Sequence, residues 1–286
     1  MKILVVGANG FVGKHLMKTL GKNNIQAIAF TEYHETWHAD IFNPYLEIGI
    51  THVVHLIAKS FVPDSWDNPE KYIQTNLNST VSVLEFCRKS EAGLIFMSSY
   101  MYGIPQHLPI NEQHPVSVLN PYALSKYLSE KTCIFFATNY KVSVSILRVF
   151  NIYGPGQKSS FLIPHIINEV LHKNEIHVKD LKPRRDYIYI DDFISFILGL
   201  MNKQIGLEIF NIGSGVSYSV SEIIQIIQGI AKTDKAVISS METRPNEIMD
   251  IKADISKIEL FSGSRITTEF KEGLEKCIQD VLSGSE

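Results

Sequence analysis

Short apolar runs alternate with amphipathic stretches along the first half of the chain. Residues 2–6 are a nearly continuous apolar run, the pattern of a strand buried on both faces of a parallel sheet. A glycine-rich turn follows, then apolar residues at helical spacing up to Leu20. Further strands are predicted at residues 25–30, 52–58, 94–97 and 142–148, and helices at residues 76–88 and 123–137. Strands alternating with helices predict an α/β protein with a doubly wound parallel sheet. Beyond Arg148 the pattern turns irregular. Glycine and proline punctuate Asn151-Ile152-Tyr153-Gly154-Pro155-Gly156, which predicts a change of architecture near residue 151. Residues 184–192 combine cations with strand-like alternation, and residues 210–215 are expected to be a turn. Ser219 and Glu222 have the spacing of a capping box opening a helix through residue 230. A last helix is predicted near residues 272–282.

The composition fits a folded protein rather than a disordered chain: 45% of the 286 residues are hydrophobic and 20% charged. A net charge of -3 without a basic run speaks against nucleic acid as a partner. No apolar stretch is long enough to span a bilayer, and the first residues lack the pattern of a signal peptide. The three cysteines, Cys87, Cys133 and Cys277, are widely spaced, which suits a reducing, cytoplasmic compartment. The ten histidines show no ligand spacing, so no metal site is expected.

Several residue patterns carry possible chemistry. Gly7-Ala8-Asn9-Gly10-Phe11-Val12-Gly13 lies between a strand and a helix, where glycines allow a tight turn and helix N–H groups can receive a pyrophosphate. At the end of the second strand, Thr31 is followed by Glu32, with no arginine nearby. An acid there can bind the ribose hydroxyls of a dinucleotide, which favours NAD(H) over NADP(H); otherwise it is a solvated loop acid. Asp40, before Ile41, reads as a loop cap or as a partner for an adenine amino group. Lys59-Ser60 leaves the third strand at the edge where ligands sit in such sheets. Ser98-Ser99 ends the fourth strand, as a substrate-facing hydroxyl or as a turn-forming pair. Asn120-Pro121 opens a helix on which Tyr122 and Lys126 stand four apart, on one face. A nearby ammonium is expected to lower the phenol's pKa from its usual ~10, making an acid/base of it. Arg184-Arg185 suits a diphosphate, or is a surface pair balanced by Asp186.

Taken in order, these motifs resemble the extended short-chain dehydrogenase/reductases, the NAD-dependent epimerase/dehydratase family acting on nucleotide sugars. The resemblance rests on Gly7/Gly10/Gly13, His55-Leu56-Ile57-Ala58, Ser98 with Tyr102-Gly103, Tyr122-Ala123-Leu124-Ser125-Lys126, Asn151 to Gly156, Arg185-Asp186-Tyr187 and Asn211-Ile212-Gly213. It implies a Rossmann-like NAD(P)-binding domain over residues 1–151, with a return around residues 185–211, and a smaller C-terminal α/β substrate domain over residues 152–286. It implies Tyr122 as proton donor and acceptor, and Lys126 as the lysine that tunes it and holds the nicotinamide ribose. Counting back from Tyr102-Gly103, Ser98 falls on the catalytic hydroxyl position, with Ser99 as the alternative. Cofactor contacts are implied for the glycine loop (Gly7, Asn9, Gly10, Phe11, Val12, Gly13), for Thr31, Glu32, Asp40 and Ile41, and for Leu56, Ile57, Ala58 and Asn76. Substrate contacts are implied for Lys59, Ser98, Ser99, Asn151, Arg185 and Arg244. A homodimer through the two helices at residues 76–88 and 123–137 is a further implication.

Three reactions compete within this resemblance. A 4,6-dehydratase usually carries Asp-Glu after its catalytic hydroxyl, whereas Ser99 and Tyr100 follow Ser98. A 4-epimerase usually has Asp where this chain has Thr31, and is typically longer. The segment from Ala58 to Trp66 and the short stretch before Asp40 look like those of reductases acting on nucleotide-linked 4-keto-6-deoxyhexoses. The expected activity is therefore reduction of the C4 ketone, with epimerisation second and dehydration last. A degenerate member used for redox sensing or as a scaffold would have no need of Ser98, Tyr122 and Lys126 together.

Overall fold

The computed structural model describes residues 1–203, 206–242 and 247–284. The first half runs β1 (Lys2–Val6), α1 (Phe11–Lys22), β2 (Gln26–Phe30), a 3-10 helix (Ala39–Tyr45), β3 (His52–His55), α2 (Val62–Asp67), α3 (Pro69–Ser90), β4 (Gly93–Ser99), α4 (Pro121–Tyr140) and β5 (Val144–Val149). The second runs β6 (Asn151–Tyr153), α5 (Leu162–His172), β7 (Ile176–Val178), β8 (Arg184–Tyr189), α6 (Ile190–Met201), β9 (Leu207–Ile212), β10 (Ser217–Ser219), α7 (Val220–Ala231), β11 (Val237–Ser239), α8 (Ser256–Ser262) and α9 (Phe270–Ser283).

The main sheet has the order β2-β1-β3-β4-β5-β9, and every pair in it is parallel. Side chains alternate across β1. Ile3 and Val5 join the core under α1, α5, α6 and α7, while Leu4 and Val6 join the core under the 3-10 helix, α3 and α4. All four are fully buried. Each such side chain contributes roughly 1.5–3 kcal/mol, which is why this strand carries no polar residue after Lys2. Strand order reverses between β1 and β3, so a crevice opens beyond their carboxyl ends. The glycine loop leaves β1 into that crevice.

The structure corrects several predicted boundaries. β3 stops at His55, and Leu56, Ile57 and Ala58 continue beyond it as half-buried chain. Helix α3 begins at Pro69, because proline in the first turn has no N–H to lose. Residues 210–212 are strand, not turn: Asn211 and Ile212 pair with Arg148 and Val149, and the turn comes at Gly213 to Gly215. The stretch beyond residue 153 contains two well-formed helices, α5 and α6, where the sequence suggested irregular chain. In α5, Pro164 lies in the first turn and breaks nothing. In α6, Asp191 and Asp192 stand at the positive end of the helix rather than in a strand. The expected return around residues 185–211 spans β8, α6 and β9. Strand β8 pairs with β6 and β10 in a separate sheet, whereas α6 packs on α1 and β9 closes the main sheet.

Candidate active site

The glycine loop is built by exclusion of side chains. Gly7 has φ +96°, a conformation that favours glycine, and a Cβ there would come within 3.0 Å of the Ile57 nitrogen. At Gly13 a Cβ would lie 2.2 Å from the Gly7 oxygen, so α1 rests directly on the loop's main chain. Gly10 precedes α1 and supplies no side-chain cap. The N–H groups of the helix's first turn therefore face the crevice without a protein side-chain partner, as a pyrophosphate would require. This cradle fits a dinucleotide. Phe11 and Val12 begin the helix, with Val12 buried, and Asn9 donates to the Thr31 oxygen at 3.3 Å.

At the far end of the cradle, Thr31 and Glu32 are exposed, and the Glu32 carboxylate lies 3.2 Å from His34 Nε2. Tyr33 straps this loop to α3 through a 3.2 Å hydrogen bond with Thr75. Asp40, in the first turn of the 3-10 helix, accepts from the Asn43 side chain at 3.1 Å and caps no main-chain group, while Ile41 packs half-buried beneath it. Asn76 is fully buried. It accepts from the Lys59 N–H at 2.8 Å and donates to the Lys59 oxygen at 3.1 Å and to Ser125 Oγ at 2.8 Å. Asn76, expected beside a cofactor, clamps the main chain at Lys59 and ties it to Ser125.

Helix α4 starts where Asn120 accepts from the Ala123 N–H at 2.8 Å. Tyr122 and Lys126 follow on its inward face. Lys126 is buried, donates from Nζ to the Met97 oxygen at 2.7 Å, and lies 4.9 Å from the centre of the Phe96 ring. Burial brings its pKa down to about 8, against the pull of Cys133 and Glu130. Tyr122 departs from the expectation. Burial pushes its pKa up to about 12, a hydrogen bond with the Ser99 side chain acts in the opposite direction, and the ammonium of Lys126 points to β4.

The two serines change places. Ser98, the predicted catalytic hydroxyl, is buried and donates to Glu130 Oε1 at 2.8 Å. Glu130 is held by Arg148 at 2.9 Å, Arg148 donates to the Tyr102 hydroxyl at 3.2 Å, and that hydroxyl donates to Asn211. Ser98 thus belongs to a closed polar network within the fold. Successive residues of a strand point to opposite sides, and it is Ser99 that meets the Tyr122 phenol. The count back from Tyr102 leads to Ser98, whereas the hydroxyl bonded to the Tyr122 phenol is that of Ser99, the alternative.

The predicted phosphate ligands are occupied. Arg184 pairs with Glu222 at 2.7 Å and donates to the Ser217 oxygen at 2.7 Å. Arg185 pairs with Glu247 and donates to the Ile248 oxygen at 2.6 Å. Asp186 balances neither arginine. It is buried and accepts from the N–H groups of Ser214, Gly215 and Ala253. Asn151 donates to the Asp186 oxygen at 2.9 Å, and Arg244 lies outside the described residues. The structure also brings in residues the motifs did not mark. Tyr72 donates to the Phe61 oxygen at 2.6 Å, and Tyr100 stacks on Phe150 at 4.9 Å. Both phenols lie close enough to Tyr122 to disfavour its ionisation further. Their signal was faint: aromatic residues one place from a recognised motif or one turn from Asn76.

Residues 3–213 match the family described as NAD dependent epimerase/dehydratase. A putative UDP-glucose 4-epimerase of Methanocaldococcus jannaschii is 31% identical, over 96% of this chain and 97% of that one. The GDP-6-deoxy-D-mannose reductase of Pseudomonas aeruginosa is 26% identical, over 98% and 96%. The solved structure of RMD from Pseudomonas aeruginosa, complexed with NADPH, superposes with a TM-score of 0.90 at 26% identity, covering 99% of each chain. A glycine cradle at the sheet's switch point, a Tyr-x-x-x-Lys pair with the lysine buried and a match over most of the length agree: the chain is an enzyme of the NAD dependent epimerase/dehydratase family.

Proposed function

We propose that this enzyme reduces the C4 ketone of a nucleotide-linked 4-keto-6-deoxyhexose at the expense of NADH or NADPH. The observation that carries the reading is the state of Tyr122. The half-buried side chain holds its phenol in a hydrogen bond with the Ser99 side chain, and desolvation raises its pKa to about 12, so at neutral pH it is protonated. A protonated phenol hydrogen-bonded to a second hydroxyl is equipped to donate to a ketone oxygen as that oxygen gains charge. Nicotinamide, when bound, supplies the hydride. The glycine loop is suited to the pyrophosphate, and Glu32 to the ribose hydroxyls. A carboxylate there disfavours a 2′-phosphate, which leans the preference to NAD(H). Lys126 serves the nicotinamide ribose. Asn151 and Arg185 are assigned to the diphosphate, for which Arg185 would exchange its Glu247 partner; Arg244 is assigned with them from the motif alone.

The similarity to the 26% identical reductase supports this reading. With Ser99 as the site hydroxyl, the following residues are Tyr100 and Met101, and neither is the carboxylate that water elimination requires. Epimerisation with a retained NAD is the second reading, favoured by the 31% identical relative. It would require the same phenol to act first as a base. A cofactor balance separates the two. The protein is mixed with NADH or NADPH and a GDP- or dTDP-linked 4-keto-6-deoxyhexose made in situ. One nicotinamide oxidised per sugar consumed is the expected result. Interconversion of UDP-hexoses without added cofactor would overturn it in favour of the epimerase. For assembly, we propose a homodimer through α3 and α4, whose outer faces expose Val81, Leu124 and Phe135. Sedimentation of a dimer that Phe135→Glu dissociates is the expected outcome.

A further inference from the structure

Two phenylalanines meet where the segment leaving β3 and the segment leaving β6 come together. Phe61 precedes α2 on the segment leaving β3, and Phe161 precedes α5 on the segment leaving β6. Their ring centres are 6.2 Å apart at 76°, edge to face. Both are half-buried, and neither ring belongs to any of the hydrophobic cores. Half-buried apolar rings that lie outside the cores present their remaining surface to whatever enters beside them.

Their positions are fixed by main-chain bonds. The Phe61 oxygen accepts from Tyr72, and Lys59 is held at both its N–H and its oxygen by Asn76. Asn76 donates to Ser125 Oγ, which in turn donates to the Tyr122 oxygen at 2.7 Å. A short chain of hydrogen bonds therefore joins the backbone under Phe61 to the helix turn that carries the phenol. Phe161 is tied at its N–H to the Lys158 oxygen at 3.1 Å and at its oxygen to the His165 N–H at 3.0 Å.

We propose that Phe61 and Phe161 form the apolar wall of the sugar subsite and select a methyl group, rather than a hydroxymethyl or carboxylate, at the sugar's C6. The inference rests on the assignment of C4 to Tyr122. C6 is then two bonds from the reacting carbon, at the end of the ring remote from the diphosphate. A methyl group gains by leaving water against the two rings. A hydroxyl there loses its water partners and finds none on carbon. The nearest cation on the segment, the Lys59 ammonium, lies over the Tyr72 ring at 5.9 Å. A purely apolar wall rejects an added hydroxyl by about a hundredfold at most.

The test is calorimetric titration of the full-length protein with nucleoside-diphosphate hexoses in pairs that differ only at C6. GDP- and dTDP-linked sugars serve as the two series. The methyl sugar is expected to bind about ten- to a hundredfold more tightly than its hydroxymethyl partner. Phe61→Ser and Phe161→Ser are expected to bring that ratio below about threefold, whereas Phe61→Leu and Phe161→Leu preserve it. A wild-type ratio near one, or serine variants that keep the wild-type ratio, would overturn the proposal. Because the ratio is read from binding, a protein that prefers the methyl sugar yet oxidises no nicotinamide overturns the reductase reading and leaves the wall standing.

Discussion

Alanine at Ser98 and alanine at Ser99 are expected to produce opposite phenotypes. Ser98 Oγ donates to Glu130 Oε1 at 2.8 Å, and both residues are no more than 2% exposed. Ser98→Ala removes one charge-assisted hydrogen bond, worth roughly 1.5–3 kcal/mol. Glu130 keeps its two-pronged contact with Arg148 at 2.9–3.3 Å, so the carboxylate is weakened but not orphaned. A loss of about 2 kcal/mol in a chain of this size lowers Tm by roughly 3 °C. The proposed site hydroxyl, Ser99, is untouched, so turnover of the folded protein is expected to stay within about threefold of wild type. Ser99 is half-buried at the end of β4, and its truncation is expected to cost under about 1 kcal/mol of stability. It would remove a donor to the oxygen on which charge develops, which lowers kcat about 10²–10³-fold. It also removes the hydrogen bond that moderates the Tyr122 pKa, so that phenol moves further up. Thermal unfolding and kcat on the same 4-keto sugar, measured side by side, decide the matter. A hundredfold loss of kcat in Ser98→Ala at unchanged Tm, or full turnover in Ser99→Ala, would refute the assignment.

Three further outcomes follow from the same geometry. Tyr122→Phe is expected to lose about 10²–10⁴-fold in kcat with nicotinamide affinity unchanged, read by steady-state kinetics and fluorescence titration; full activity would sink the proton-donor role. Gly13→Ala places a methyl group 2.2 Å from the Gly7 oxygen, so the loop must open, and dinucleotide affinity should fall at least about tenfold by the same titration. The buried Lys126 releases its proton near pH 8 in the folded state and only near 10.5 when unfolded. Between those values the unfolded chain holds more protons, so this group makes stability rise with pH, by at most about 1.4 kcal/mol per unit, and imposes its full penalty below pH 8. Urea midpoints at pH 8 and 9.5 should show this slope in wild type and lose it in Lys126→Met; equal slopes would contradict the burial argument.

The parts that were legible in the sequence are those where backbone and pattern dictate one another. Apolar runs marked β1, β3, β4 and β5 because a strand buried on both faces tolerates little polar alternation. The glycine loop was legible because Gly7 and Gly13 leave no room for a Cβ. The capping box was legible because Ser219 and Glu222 satisfy one another locally, at 2.7 and 3.1 Å. What was illegible depended on distant partners. Whether Ser98 or Ser99 faces the site is decided by Glu130, 32 residues away. Whether Arg185 is free for phosphate is decided by Glu247, 62 residues away. The Tyr122 pKa was misjudged in direction, since spacing brings Lys126 to the same face but does not aim its ammonium.

The motifs from the second half of the chain are joints of the fold before they are ligands. Asp186 receives the Ser214, Gly215 and Ala253 amides, and a Cβ on Gly213 would come within 2.7 Å of its carboxylate. Asn211 receives the Tyr102 hydroxyl, donates to the Ile110 oxygen, and has its own N–H bonded to Glu112. These bonds tie β8 of the small sheet to the turn after β9 of the main sheet, and β9 to the segment between β4 and α4. A cleft with one wall on each sheet keeps its width only if the sheets cannot slide past one another. The residue types at Asp186, Asn211 and Gly213 are therefore demanded by the joint, whatever sugar the cleft receives. The groups free to vary with substrate are those of the proposed sugar wall, Phe61 and Phe161. A change of sugar specificity in this scaffold is expected to be written there, not in the motifs that identify the family.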